Sequence, residues 1–312
     1  ANTTASFNTG LGYFSLSGNT TGTRNVAVGR SSLEVNTTGN DNTAVGEIAL
    51  VANTTASNNT AVGKSALTAN TTADNNTAVG KGAADANTTG ASLVAIGVNA
   101  LGANTTGSSN VGIGVDALNA NTTASNNTAI GTSALAVNTT GASNVAVGAL
   151  AGDAITTGND NTTLGYRTLS QNTASNRNTA IGSETLATFN VTSDTHTYNT
   201  AVGYGAGNLV TTGVQNTLIG GLAGDALTDA DVNVAIGMQS LSSDTLGSKS
   251  VAVGAYTLIS QNFTSATDSF NTAVGHSAGG AVTTGANNTF VGGLCGDATD
   301  DGAENVAVGM SA

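Results

Sequence analysis

The chain has no proline, no tryptophan and one cysteine, only seven Lys and Arg together, and aromatics at 4% of its 312 residues. Each scarcity excludes something. A single cysteine, Cys295, leaves no internal disulfide to staple the fold, and its place among small repeat residues predicts a core position. Seven cations against nineteen acids, for a net charge of −12, exclude the basic stripe that a nucleic-acid partner needs. No apolar run approaches the length of a membrane span, so no membrane insertion is expected. Disordered chains are Pro-rich and poor in Val and Ile, and this chain is the reverse. Two histidines offer little to catalysis. His196 lies near Ser193 and Asp194, and His276 stands alone, but three residue types close in sequence are not a triad without geometry. No enzyme and no resident cofactor are expected.

What the chain has is glycine at a fixed interval. The series runs Gly12, Gly29, Gly46, Gly63 and onward in steps of 17 residues to Gly182, then from Gly203 to Gly254 and from Gly275 to Gly309. Two steps, Gly182 to Gly203 and Gly254 to Gly275, are 21 residues long. A short fixed period carried by β-type segments is the signature of a solenoid, one coil per repeat. The sequence predicts an all-β fold, a parallel β-solenoid (β-roll) of eighteen 17-residue coils forming one elongated domain over 1–312. Residues 1–182 form a uniform array, and 183–312 carry the 21-residue insertions and a 72-residue super-repeat, Gly203 to Gly275.

The consensus is N-T-A-V-G-x-x-A-L-x-x-N-T-T-G-x-x, counted here from the repeat glycine as position zero. Position −1 is Val, Ile or Leu in all eighteen repeats, −2 is Ala in thirteen, −4 is Asn in sixteen, and +3 is always small. Asn-Thr-Ala-Val-Gly reads as a short strand ending in a corner, with the glycine at positive φ. The Asn at −4 suits the left-handed region and a hydrogen-bonded side-chain ladder between coils. Where +4 is Gly instead of Leu, an apolar residue usually replaces Asn at +7: Gly152 with Ile155, Gly207 with Val210, Gly224 with Leu227, Gly279 with Val282; Gly296 with Thr299, and Ala84 with Asn87, are underfilled by this rule. One large side chain per coil therefore fills a shared interior volume. Alternation places −1 and −2 on opposite faces. The larger residue, −1, is expected inside, and the Ala row outside as a flat contact between copies in a homo-oligomer. Leu218 and Phe290 at −2, each followed by extra glycines, suggest that this row is also packed.

Asn-Val-Ala-Val-Gly and Asn-Thr-Ala-Ile-Gly, each followed by two variable residues and Ala-Leu, resemble the head repeats of trimeric autotransporter adhesins, built on N-S-V-A-I-G motifs. The longer unit, with Gly-Asp-Ala-Leu-Thr-Asp at 224–229, looks like repeats in tail-fibre-like proteins of marine phages. The resemblance covers nearly the whole chain and implies a trimeric parallel β-roll. The coil is longer than the adhesin repeat, and neither a stalk coiled coil nor a membrane anchor accompanies it, so bacterial surface anchoring is not supported.

Two sets of residues stand out as candidate sites. Asp225, Asp229 and Asp231, and Asp297, Asp300, Asp301 with Glu304, are hard oxygen ligands at the close spacing that suits Ca²⁺, or else solvated acidic loops. Phe189 and Tyr198 in one insertion, and Phe263 and Phe270 in the other, are either contacts for a cell-surface glycan or receptor, or plugs where the coil widens. The leading reading is a structural and adhesive fibre, a homotrimeric shaft or head from a phage tail fibre or an extracellular filament, located on a virion or cell-surface appendage. One alternative is an ice- or surface-binding solenoid using the Thr row at +8 (Thr37, Thr54, Thr71, Thr88, Thr105), although adjacent threonines cannot share one flat face. Another is an end-to-end filament subunit, since both ends fall inside a repeat without a polar cap.

Overall fold

The computed structural model describes residues 4–312. The chain divides into two units, 1–157 and 158–312. Each is all-β, without a helix among the described residues, and each is a parallel β-solenoid of nine turns, about eighteen in all. Every turn carries one three-residue strand at positions −3 to −1, such as Thr43–Val45 and Thr60–Val62 in the first unit and Thr217–Ile219 and Val234–Ile236 in the second. Neighbouring strands pair parallel and in register, Thr43 with Thr60, Ala44 with Ala61 and Val45 with Val62. Like residues thus stack on like residues, about 4.8 Å apart.

Three-residue strands are too short to hold a sheet alone, and the rest of each coil is hydrogen-bonded to its neighbours as well. Around the Gly63 coil, Thr60 N–H donates to Asn76 O at 2.8 Å, Ser65 N–H to Glu47 O at 3.0 Å and Leu67 N–H to Ala83 O at 3.0 Å. Corners are made by left-handed residues at +2, +4 and +12, here Ser65, Leu67 and Asn75 with φ of 62°, 50° and 62°. A left-handed Leu costs roughly 1–2 kcal/mol. Complete burial of its side chain, at about 1.5–3 kcal/mol, offsets that cost.

The repeat glycine turns its corner at positive φ, as expected. Gly131 has φ +135°, and a Cβ added there would sit 2.5 Å from the carbonyl oxygen of Gly148 in the next coil. Backbone meets backbone at this corner, so no side chain fits.

The two faces of the strand are the reverse of the sequence expectation. The −2 side chains, Ala44, Ala61, Ala78 and Ala95, are fully buried inside the coil, while Val and Ile at −1 are half-buried or exposed. The coil interior is narrow. Leu at +4 reaches in from the opposite wall and Asn at −4 and +7 fill the corners, all buried. A second large residue from the strand would overfill this space.

The volume exchange inside the coil holds, and it includes −2. Ile155, Val210, Leu227 and Val282 are fully buried, each in a coil whose +4 is Gly. Leu218 and Phe290 also point inward. Added Cβ atoms at Gly207 and Gly224 would meet Leu218 methyls at 2.7 and 2.8 Å, and at Gly279 and Gly296 the Phe290 ring at 3.0 and 2.5 Å. The glycines next to these large residues make room for them within one chain, not against another copy. Gly221 takes no part in this, since nothing lies within 4 Å of its added Cβ.

The asparagines form two ladders. At +7, side chain bonds to side chain: Asn53 Nδ2 donates to Asn36 Oδ1 at 2.8 Å and Asn121 Nδ2 to Asn104 Oδ1 at 2.7 Å. At −4 the ladder is side chain to backbone, Asn42 N–H donating to Asn25 Oδ1 at 2.9 Å while Asn42 Nδ2 donates to Ala56 O at 2.8 Å. The left-handed residue of this bend is the one before, at +12, and not the −4 Asn. The +7 ladder ends where Ile155 replaces the next rung, leaving Asn138 Oδ1 buried with no hydrogen-bond partner among the described residues.

Candidate functional site

Because −2 points in, −3 and −1 both point out. Position −3 is Thr or Val, and −1 is Val, Ile or Leu, in every one of the eighteen repeats. Neither position carries a charge anywhere along the chain. In each unit the outer face of the sheet is therefore two parallel rows of methyl-bearing side chains, about 7 Å apart across the strand. Exposure along the −1 row reaches 38% at Ile96 and 47% at Leu164.

The rows on either side of this face are mixed, with charges at some coils and polar or apolar residues such as Asn75, Val98 and Met238 at others. On one side, at −5, stand Arg24, Asp41, Asp160, Arg177 and Lys249, and on the other, at +1, Arg30, Glu47, Lys64 and Lys81. Many pair along their own row. Arg24 Nε lies 2.6 Å from Asp41, Lys64 Nζ lies 2.9 Å from Glu47, and Arg30 also pairs with Glu47. The two cations hold the Glu47 carboxyl down to about 2. The uncharged outward stripe is what sequence reasoning missed. The signal was present in the strict Thr-or-Val rule at −3 and the joint absence of charge at −3 and −1.

The Thr row at +8 is committed elsewhere. Thr37 Oγ1 donates to Thr54 O at 3.0 Å, Thr54 Oγ1 to Thr71 O at 3.1 Å and Thr88 Oγ1 to Thr105 O at 2.9 Å. These hydroxyls tie coil to coil, so this row is not an open hydrogen-bonding lattice.

The candidate calcium ligands of each set share one coil but occupy different rows of it. Asp231 accepts the Val214 N–H at 2.7 Å, as Asp74 accepts the Ser57 N–H at 2.7 Å in a coil with no cluster. Asp229 accepts from Thr212, and Asp300 from Thr283, both through hydroxyls. Asp297 and Asp301 complete the second set in sequence. Among the described residues no three His, Cys, Asp or Glu side chains come together as a metal site.

The four insertion aromatics split two and two. Phe189 is fully buried and Phe263 nearly so, which removes them as contact residues and makes them plugs of the widened coil. Tyr198 and Phe270 are about half exposed, and both occupy the −5 row. Each stacks against a cation of the preceding coil: the Arg177 guanidinium lies 5.8 Å from the Tyr198 ring centre and donates to its hydroxyl at 2.9 Å, and Lys249 Nζ lies 5.3 Å from the Phe270 ring centre. The two insertions thus build the same cation–aromatic pair.

Family models, curated proteins and solved structures were all compared with this chain. None matches. Function must be argued from the residues themselves.

No catalytic constellation forms at the histidines. Asp194 accepts from Asn176 Nδ2 at 2.6 Å, and His196 packs edge-on to Tyr198 with ring centres 5.9 Å apart. Cys295 is buried, and its thiol donates to Ala307 O at 3.0 Å.

One acid is buried at +7, beyond the end of the Asn ladder. Asp244 lies between Leu227 and Gln261 in that row, and its Oδ1 accepts the Gly247 and Phe263 N–H groups at 3.1 and 2.9 Å while Oδ2 accepts from Gln261 Nε2 at 2.6 Å. Burial pushes its carboxyl above the usual range, and those hydrogen bonds partly oppose the shift. A carboxyl raised on folding binds protons more readily in the folded state, so its contribution favours folding as pH falls through the folded value and disappears above it. Denaturation midpoints measured from neutral to acid pH are expected to fall less steeply for the parent than for Asp244→Asn. Coincident pH profiles would mean that this group does not titrate differently on folding.

Proposed function

We propose that the chain is a structural and adhesive fibre element, and that its outward Thr-x-Val face is where copies of the chain meet. The observation that carries this reading is the uncharged, half-exposed double row at −3 and −1, unbroken by charge in any coil. A repeated apolar stripe on the surface is the pattern of an association face, and burying it removes methyl groups from water at about 25 cal/mol per Å². A homotrimer packing three such faces around an axis agrees with the resemblance of the Asn-Thr-Ala-Val-Gly units to adhesin heads. The Ala row at −2, inside each coil, takes no part. An extracellular or virion location, as part of a tail fibre or filament, belongs to the same proposal.

The test is mass in solution. The double variant Val62→Lys with Ile96→Lys puts two charges on the face without touching the coil interior. Light scattering is expected to give an oligomer for the parent and a monomer for the variant, with unchanged circular dichroism. A monomeric parent, or an oligomer that survives both substitutions, overturns the reading.

A second reading is favoured by one observation. Residues −3 and −1 flank the buried Ala and so share one flat face, in register from coil to coil. The objection to adjacent threonines at +8 does not apply here. Such an array also suits a repeating solid surface such as ice. Thermal hysteresis from the monomeric parent would favour this reading over the fibre, and its absence would dismiss it.

A further inference from the structure

The regular surface is broken in the second unit by a concave site. At +2 most coils carry a side chain, but position 205 is Gly, with φ +61°. A cavity of about 260 Å³ opens there, lined by Glu184, Tyr204, Asn208, Leu209, Leu222 and Asp225. A second depression of about 190 Å³ adjoins it, sharing Glu184 and Asn208. Its rim includes Arg167, while the first cavity has no cation among its lining residues.

The lining has two chemistries. Tyr204 and Leu209, 60% and 49% exposed, supply an apolar platform beside the half-buried Leu222. Glu184 and Asp225 supply carboxylates. Asp225 is the unusual one: its Oδ1 is buried and accepts no hydrogen bond among the described residues. Burial also pushes its carboxyl up. The Oδ1 atom is closed to solvent, so a ligand donor in the cavity would meet this carboxylate through the accessible part of the half-buried side chain. Asn208 is held in place, its Nδ2 donating to Glu184 O at 2.9 Å.

We propose that this cavity binds a single sugar ring, neutral or amine-bearing. A pyranose offers hydroxyl donors to carboxylates on its edge and C–H groups to an aromatic or aliphatic platform on its face. The two carboxylates, on a chain of net charge −12, disfavour an acidic sugar by like-charge repulsion. The inference deepens the adhesive part of the fibre reading and rests on it, since a filament that attaches through its sides needs a recognition site there. The solution mass and the sugar result are read independently, so failure of one is distinguishable from failure of the other.

The experiment is saturation-transfer NMR on the full chain with galactose, N-acetylglucosamine, glucosamine and glucuronate as probes. Transfer is expected from at least one of the first three, with glucuronate about tenfold weaker or silent. Gly205→Gln should abolish it by filling the cavity. Position +2 already carries Gln239 at φ 51°, and the added Cβ meets only the movable Leu222 methyl at 2.9 Å. Asp225→Asn should weaken binding about tenfold, the loss of one charge-assisted hydrogen bond. If Gly205→Gln alters the circular dichroism, Tyr204→Ala carries the same test from an exposed position. No transfer from any of the three sugars overturns the proposal, as does transfer that persists undiminished in folded Gly205→Gln or Tyr204→Ala.

Discussion

Ala78→Arg is expected to break the solenoid where Val79→Arg, one residue further on, leaves it standing. Ala78 is fully buried, stacked between Ala61 and Ala95, while Val79 lies on the outer face at 36% exposure. An arginine at 78 has no room and no anionic partner inside the coil. A buried, unpaired charge costs about 3–5 kcal/mol or more, and the overpacking adds about 1–3 kcal/mol. An arginine at 79 points away from the coil interior, so with both variants compared at a concentration where they are monomeric its cost to the coil is expected to stay within about 0.5 kcal/mol. Stability in a solenoid is a sum of coil and nearest-neighbour terms, so a defect at 78 also weakens the coils that stack on it. Thermal melting followed by circular dichroism checks this. Equal loss in the two variants, or greater loss at 79, would return the −1 row to the interior.

The second large effect is expected at a corner. Gly131→Ala places a methyl 2.5 Å from the Gly148 carbonyl oxygen, at a φ of +135° that L residues rarely adopt. The obstacle is backbone of the stacked coil, which cannot swing aside as a side chain can. Backbone strain and overpacking each cost roughly 1–3 kcal/mol, so a loss of about 2–6 kcal/mol is expected. Gly221→Ala is the control. That glycine is not at positive φ, and its added Cβ has nothing within 4 Å, so the substitution is expected to be neutral or to stabilise by up to about 1 kcal/mol. Chemical denaturation of both variants decides it. A Gly131→Ala protein as stable as the Gly221→Ala protein would mean that the corner opens at little cost.

The two experiments probe the two kinds of knowledge the chain offers. Period, coil length and corner are readable along the sequence, because a solenoid repeats its constraints in one dimension. Every repeat corner has kept its glycine, and the coils with Gly at +4 regain volume at +7 or −2, as with Ile155 and Phe290, while the coil with Ala84 and Asn87 does not. The candidate sites were less legible. Phe189 and Phe263 look alike in sequence to Tyr198 and Phe270, yet one pair is buried and the other exposed. Part of the difference follows from the count, since Phe189 falls at the interior +7 position and Tyr198 and Phe270 at −5, but Phe263, at +9, has no repeat position that marks it as buried. Asp225, Asp229 and Asp231 lie close in the chain but have separate partners, Asp229 the Thr212 hydroxyl and Asp231 the Val214 N–H, while Asp225 Oδ1 has none among the described residues.

The repeat alone determined that this is a stacked β coil of 17 residues with glycine corners, asparagine ladders and one shared interior volume. Alternation also divided the strand residues into two sets, −2 against −3 and −1. Only the tertiary structure decided which set faces inward. Hydrophobicity favours the larger Val or Ile inside, but a coil this small admits one large side chain, and Leu at +4 already occupies that space from the opposite wall. The strand must then contribute its smallest residue to the interior. The Val and Ile rows are left on the outside, where they become the face that a partner or a surface can meet.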